Sequence, residues 1–437
     1  MKKKFTLRTL KSLVLTVLVL TSVILSEVLW NANWINSGGI AYPAPVIVKA
    51  DTPVADEVLR PYEITLSQWT RTPSKTQTAA SLAIPGSPAY AQWITQLQNL
   101  RVTGLHTIAS LPQAEMTEAV TFRFGTPLSY NELLKWIPGL QPSVLFQSGQ
   151  TLWLYRQNGL AGVQLGIETQ QGAYTALTDL SVLSFHGTLS QDIKTQPWTV
   201  WSARNHGYVP LHSLQVTQWV YHTQVQPVLP LAHSFFVNPQ VLTSAQAGPH
   251  TVLWTDGSRV VWWDQARNQL TFADPNAPHI ANVASVSPSF VLAYVQDHGG
   301  APSTLLFSNP GVAAGSDWFT LRTYVSGLPV FGGNGMVQLE VQGNQVLQYQ
   351  CPLWQLTTPE TRFTVHTLSA PQVAQVLAHA LPNTPLTELT VQLGYAAFLQ
   401  SPHTVELDPA FAVTVAGKWV LTLDAVTGQV MKGVTGE

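Results

Sequence analysis

The chain has 437 residues and is 45% hydrophobic, which suits two or three domains with ordinary cores and argues against disorder. Only 10% of residues are charged and the net charge is −2, with no basic patch beyond the N-terminal head, so nucleic acid is not an expected partner. A polar surface built instead from Gln, Thr, Ser and Asn predicts little change in stability between neutral and mildly acid pH, as an acidic external medium would require.

The first element is an anchor. Residues 1–11 carry Lys2, Lys3, Lys4, Arg8 and Lys11; residues 12–26 hold no charge; Val28, Leu29, Trp30 and Trp34 follow. The uncharged run is short of the roughly 20 residues of a membrane span, but continuing past Glu27 to Trp30 brings it close. A cleaved signal would need small residues at its cut site, and Gly39 and Ala41 lie far beyond the apolar run. A retained signal anchor at 12–34 is therefore expected over a cleaved one. The positive-inside rule keeps residues 1–11 in the cytoplasm and exports the rest, giving a single-pass protein of the cell membrane. On a helix, Ser12, Thr16, Val19, Val23 and Ser26 form one stripe of small or β-branched residues, through which membrane helices can approach closely. That stripe is the candidate partner-binding surface; a chance pattern in a short apolar run is the competing reading.

Residues 35–61 read as a tether. Beyond it we expect an N-terminal extracytoplasmic domain at 62–200, a central domain at 201–285 and a C-terminal domain at 286–437. In chain order, 62–68 alternates like a strand, and 87–100 has helical spacing of Trp93, Ile94, Leu97 and Leu100. A strand at 119–124 precedes a helix at 129–136, where Ser129 and Glu132 form a capping box and Pro138-Gly139 closes the element. Strands follow at 143–146, 151–155 and 163–168. Hairpins are predicted at 251–263 around Asp256-Gly257 and at 337–349 around Gly343-Asn344. Trp262 and Trp263 are adjacent on a strand, so they face opposite sides and at least one belongs to the core. Ser369 caps a helix that carries Pro371 in its first turn and ends at Pro382. Strands at 389–393, 405–407, 411–415 and 418–423 complete an α+β chain with antiparallel sheets.

Motifs for chemistry are absent. His206, His212, His222 and His233 have no metal-binding spacing. There is no nucleophile elbow, and Gly332-Gly333-Asn334-Gly335 lacks the lysine of a phosphate loop. The 15 tryptophans could stack on sugars, yet Asp256, Asp264, Asp274, Asp297 and Glu340 show no paired-carboxylate pattern. Cys351 is alone and reads as a small buried residue. We expect no enzyme activity, no catalytic residue, no cofactor and no metal.

Between residues 208 and 275 the chain reads Tyr208-Val209-Pro210, then Ser234-Phe235-Phe236-Val237-Asn238-Pro239, then Trp254-Thr255-Asp256-Gly257-Ser258-Arg259, then Leu270-Thr271-Phe272-Ala273-Asp274-Pro275. This order resembles the YycH family, membrane-anchored regulators of the WalK/WalR (YycG/YycF) two-component system of Gram-positive bacteria. Asn238 stands where that family has Asp, Trp254 where it has Tyr, and Phe272 and Asp274 where it has Tyr and Asn. The departures leave the turns intact. Arg60-Pro61-Tyr62 and the run Arg322-Thr323-Tyr324-Val325-Ser326-Gly327-Leu328-Pro329-Val330-Phe331 are similar to further family segments. Gly394-Tyr395, Leu407-Asp408-Pro409 and Thr427-Gly428 resemble its C-terminal module, shared with YycI and PepSY-like domains. The resemblance covers nearly the whole chain through the order of its motifs rather than any one of them.

The resemblance implies an N-terminal transmembrane helix followed by two or three mixed extracytoplasmic domains, the last of them YycI/PepSY-like. It implies a non-enzymatic regulator of a WalK-type sensor histidine kinase in cell-wall homeostasis, acting through transmembrane or extracytoplasmic contacts alongside a YycI-like partner. A cell-wall-facing binding or inhibitor module without kinase coupling is the alternative. Read physically, the motifs are structural: Asp256-Gly257 shapes a hairpin, Arg259 ties it to a neighbouring strand, and Gly327-Leu328-Pro329 ends one strand and aims the next.

Overall fold

The computed structural model describes residues 18–19, 21–22, 55–72, 75–140, 148–169, 172–202, 207–277, 286–299, 305–308, 317–332, 335–401 and 403–431. The chain divides into two units, 1–46 and 47–437. In the first, Leu18, Val19, Thr21 and Ser22 are helical and exposed. Of the membrane stripe, Ser12, Thr16, Val23 and Ser26 lie outside the described residues, as do most of the tether and the strand expected at 143–146. Among the described residues no helix is long and apolar enough to cross a membrane.

The second unit begins with a seven-stranded antiparallel sheet in the order β2-β1-β4-β5-β6-β7-β3. Its strands are β1 (Glu63–Thr72), β2 (Lys75–Ala83), β3 (Val102–Ile108), β4 (Met116–Leu128), β5 (Gly149–Gln157), β6 (Gln164–Thr169) and β7 (Gly172–Thr178). The helix Pro88–Gln98 starts where Ser87 accepts a hydrogen bond from the Tyr90 N–H at 3.2 Å. The helix Tyr130–Trp136 carries the expected capping box of Ser129 and Glu132. Sequence periodicity missed the helix Val182–Thr195, whose buried Phe185, Leu189 and Asp192 form a narrow apolar stripe interrupted by a carboxylate. That carboxylate is what holds it: Trp93 Nε1 donates to Asp192 at 2.8 Å and ties the two longer helices together. His186 of the same helix meets the buried Glu118 of β4, which also receives Arg156 Nη1 at 2.8 Å.

The remaining strands build one sixteen-stranded network. One part contains β11 (Thr243–Gly248), β12 (Thr251–Thr255), β13 (Val260–Asp264), β14 (Gln269–Ala273), β15 (Leu305–Ser308), β16 (Asp317–Val325), β18 (Met336–Gln342) and β19 (Gln345–Pro352). The other contains β8 (Trp198–Ser202), β9 (Gly207–Pro210), β10 (Gln215–Val225), β20 (Trp354–His366), β21 (Leu389–Ser401), β22 (Thr404–Val415) and β23 (Lys418–Asp424). The short β17 (Leu328–Phe331) joins them, pairing antiparallel with β16 and parallel with β21. The sheet crosses residue 285 without a break, because β14 pairs with β19.

Both predicted hairpins form, and both Trp262 and Trp263 are half-buried, with Trp263 packed on the core. The helix Ala370–Ala380 is capped by Ser369 and, beyond the expectation, by a full capping box with Gln372. The two strands expected at 405–407 and 411–415 are one strand, β22, with Pro409 inside it. Pro409 pairs with Tyr395 on one side. On the other, β10 reaches only to Leu407 and β23 begins at Ala410, while the Pro409 carbonyl accepts from the Ala425 N–H at 2.9 Å. The amide hydrogen that proline lacks would face this changeover, so no ladder bond is lost.

Two main cores result. The larger joins the seven-stranded sheet to the first part of the network, from Ile64, Trp93 and Phe122 to Phe307, Leu339 and Tyr349. The smaller lies beneath β21 and β22, around Val330, Leu393 and Phe411.

Candidate functional site

Two constellations stand out, one built on a turn and one on a junction. The turn follows β12. The Asp256 carboxylate accepts from the Ser258 N–H at 2.9 Å, the Ser258 hydroxyl at 2.9 Å and the Arg259 N–H at 2.8 Å, while Gly257 takes a φ of +92°. Arg259 Nε reaches Asp274 at 3.1 Å and so clamps the hairpin to the end of β14. Burial pushes the Asp256 carboxyl up, but these N–H and O–H donors and the Arg259 charge outweigh it and hold it below its ordinary value. The stabilisation is present above the unfolded-state pKa and is lost as pH falls through the lower folded one. Asp256→Ala should cost about 1 kcal/mol at pH 7, read from the urea midpoint, and the difference should fade in acid. A loss that persists undiminished in acid would show that the carboxylate charge plays no part.

Beside this hairpin, Phe235, Phe272, Tyr294, His298 and Tyr349 stack into an aromatic cluster, with the Phe235 and His298 rings 4.4 Å apart. Asn238, singled out by its motif, caps a single 3-10 turn, Pro239–Val241, by accepting from the Gln240 N–H at 3.2 Å. Cys351 is buried near the end of β19, and burial pushes its thiol up to about 12, so it stays protonated.

The junction lies where the seven-stranded sheet meets the network. Two glycines make the approach possible, and a third lets β17 lie against β21. A Cβ at Gly125 of β4 would overlap the Phe307 backbone, and one at Gly394 would overlap the Pro329 carbonyl and the Phe331 ring. One at Gly327 would overlap the Pro85 carbonyl. Gly327 and Ser326 also take φ values of +79° and +50°, the left-handed pair of a two-residue hairpin turn between β16 and β17.

This junction lines a partly open cavity of about 270 Å³. Residues 63, 65 and 67 of β1 face away from Ile64 and Leu66 of the core, which turns the buried Glu63 toward the cavity. Glu63 stands opposite Arg123 of β4 in register and forms an ion pair with it at 3.3 Å. Burial raises the Glu63 carboxyl, opposed by Arg123 and by a hydrogen bond from the Thr65 hydroxyl at 3.1 Å. From the network come Tyr208 of β9 and Arg322 and Tyr324 of β16, two residues apart and on one face. Arg322 donates from Nη1 to the Val330 carbonyl at 3.1 Å and lies 5.9 Å over the Phe331 ring. Burial lowers its guanidinium and raises the Tyr62, Tyr208 and Tyr324 hydroxyls, which remain protonated donors near neutral pH.

Three motifs that looked purely structural in sequence, those at Tyr62, Tyr208 and 322–331, thus converge on one cavity. Glu63, Arg123 and Ser308 were not singled out. The alternation of 62–68 pointed Glu63 away from Ile64, but nothing local says that the far side is covered. Of the metal and carboxylate candidates, Asp256 and Asp274 are spent on the hairpin, Asp264 pairs with Arg267 at 3.8 Å, and His206 lies outside the described residues.

Comparison with known proteins adds the following. The family model described as "YycH protein, C-terminal domain" matches residues 204–426. No curated protein matches. Among solved structures, YycH from Bacillus subtilis is 14% identical with a TM-score of 0.58, covering 86% of this chain and 98% of that one. An uncharacterized protein from Eubacterium rectale is 11% identical at a TM-score of 0.30, covering 50% and 86%. The YpeB C-terminal domain of Bacillus megaterium is 13% identical at 0.24, covering 44% and 86%. The first of these shows a shared fold.

Proposed function

The chain belongs to the YycH family, and from that premise we propose that it is a non-enzymatic, membrane-anchored regulator of a WalK-type sensor histidine kinase, working with a YycI-like partner in cell-wall homeostasis. The family match over 204–426 carries this reading. The sequence supports its placement: the basic head and apolar run at 1–34 would anchor the protein once, with the stretches 62–200, 201–285 and 286–437 outside, the last two sharing one sheet network and the last of them YycI/PepSY-like.

A regulator of this kind works by binding one kinase state more tightly than the other. A coupling of about 1–3 kcal/mol changes signalling roughly 5- to 150-fold. The anchor stripe Ser12, Thr16, Val19, Val23 and Ser26 is our proposed contact with the kinase helices. Co-expression with the cognate kinase, read by two-hybrid signal and by kinase output, tests both parts. Thr16→Leu and Val23→Leu should weaken the effect about fivefold or more, while Leu18→Ile leaves it unchanged. Equal effects on both helix faces would remove the stripe from the interface, and no signal from the full-length protein would remove the kinase itself.

A further inference from the structure

The junction cavity holds an unbalanced set of charges. Arg123 is matched by Glu63, but among the described residues Arg322 has no carboxylate partner; its contacts are a backbone carbonyl, the Phe331 ring and Tyr324. Tyr62 and Tyr324 also line the cavity. Ser308, buried where β15 borders the cavity, leaves its hydroxyl without a hydrogen-bond partner among the described residues. A half-buried guanidinium without a carboxylate and a buried hydroxyl without a partner are costly, and a bound anion removes part of that cost. The cavity is also lined by the apolar Leu82, Ile84, Trp198 and Leu328.

We propose that this cavity binds a small organic carboxylate, its anionic head held by Arg322 and the Tyr62 and Tyr324 hydroxyls and its apolar body lying against Leu82, Ile84 and Trp198. Four observations choose that class. One unmatched guanidinium balances one negative charge. A phosphate dianion would bring a second negative charge into a cavity that already holds Glu63. The apolar lining gives a carbon skeleton somewhere to lie. The cavity volume, about 270 Å³, sits just below the range of about 300–1,000 Å³ for drug-sized ligands, so the fit is to a molecule of metabolite size.

The site is formed by β1, β2, β4, β8, β9, β15, β16, the start of β17 and β21. It therefore spans the joint between the seven-stranded sheet and the network, where an occupant would stabilise the joined arrangement. This goes beyond the regulatory reading and does not depend on it. Binding is measured on the purified protein alone, so failure here leaves the kinase proposal standing, and failure of the kinase assay leaves the site standing.

The test is a thermal-shift titration of the full-length protein in detergent with benzoate and hexanoate, against benzyl alcohol as a neutral isostere and inorganic phosphate. At least one carboxylate should raise the melting temperature saturably, and neither benzyl alcohol nor phosphate should. Arg322→Gln should weaken binding at least tenfold, as expected when a charge-assisted hydrogen bond is removed. Absence of any saturable carboxylate shift overturns the proposal, as does an equal response to benzyl alcohol or an undiminished response in Arg322→Gln. A response to phosphate alone overturns the carboxylate class. Should Arg322→Gln fail to fold, Tyr324→Phe keeps the ring and removes one donor. Binding about threefold weaker or more supports the site, and unchanged binding rejects it.

Discussion

Gly327→Ala is expected to destabilise the protein by about 2–5 kcal/mol, from two separable causes. The residue sits at a φ of +79°, where a Cβ meets its own backbone at a cost of about 1–2 kcal/mol. The same Cβ would overlap the Pro85 carbonyl, so the hairpin of β16 and β17 must back away from the seven-stranded sheet. Overpacking of this kind costs about 1–3 kcal/mol, and here the obstruction is backbone, which yields less than a side chain. Gly159→Ala is the control. Gly159 has a φ of +81°, but nothing lies within 4 Å of its would-be Cβ, so only the first cause acts. Urea unfolding followed by tryptophan fluorescence should place Gly159→Ala about 1–2 kcal/mol below wild type and Gly327→Ala well below that. Equal losses at the two positions would mean that the junction is not tightly packed at Gly327.

The second large effect concerns pH. His298 lies in the aromatic cluster, with Nδ1 2.8 Å from the Ser234 hydroxyl and its ring stacked on Phe235. Burial lowers its pKa from 6.5 to about 4. Between those values the unfolded chain binds a proton that the folded protein refuses, so stability falls as pH drops through this window and levels out below it. The full shift corresponds to about 3 kcal/mol, and partial solvent access of the ring trims the expectation to about 2–3 kcal/mol. His298→Phe keeps a stacked ring, while Ser234 still donates to the Leu231 carbonyl at 2.7 Å. Relative to wild type, this variant should gain about 2–3 kcal/mol between pH 6.5 and pH 4.

Asp408 works in the opposite direction. Burial raises its carboxyl to about 6, against the hydrogen bond from Gln218 at 2.6 Å, with Glu406 and Asp424 adding to the rise. Its contribution is fully present below the ordinary 3.8 and is lost as pH rises through about 6. The two groups therefore offset each other across the same mildly acid range. The flat profile expected from a charge-poor surface would then come largely from two half-buried groups of opposite slope. Asp408→Asn should steepen the acid loss, and His298→Phe should reverse it. Parallel stability profiles for wild type and His298→Phe between pH 4 and 6.5 would refute this account.

The local elements were legible because their causes are local. Ser129 with Glu132, Ser369 with its proline, and the turns at Asp256-Gly257 and Gly343-Asn344 act through hydrogen bonds and backbone preferences within a few residues. The helix Val182–Thr195 was not legible. Its inward face carries Asp192, whose place in the core depends on Trp93, 99 residues earlier in the chain. The single strand β22 was missed for a related reason: Pro409 looks like a strand breaker until its unbonded side is seen to meet a change of neighbours.

By itself the sequence determined the α+β character, most element starts and the family resemblance, since each depends on short-range pattern or on the order of motifs. Only the tertiary structure decided the junction. Glu63, Arg123, Tyr208, Ser308 and Arg322 come from five different strands, and no local rule relates them. They meet because strand pairing over long separations brings two sheets together at glycines small enough to let backbones touch. The same closure half-buries Arg322 without supplying a carboxylate among the described residues, and that unmatched charge is what makes the cavity a candidate site.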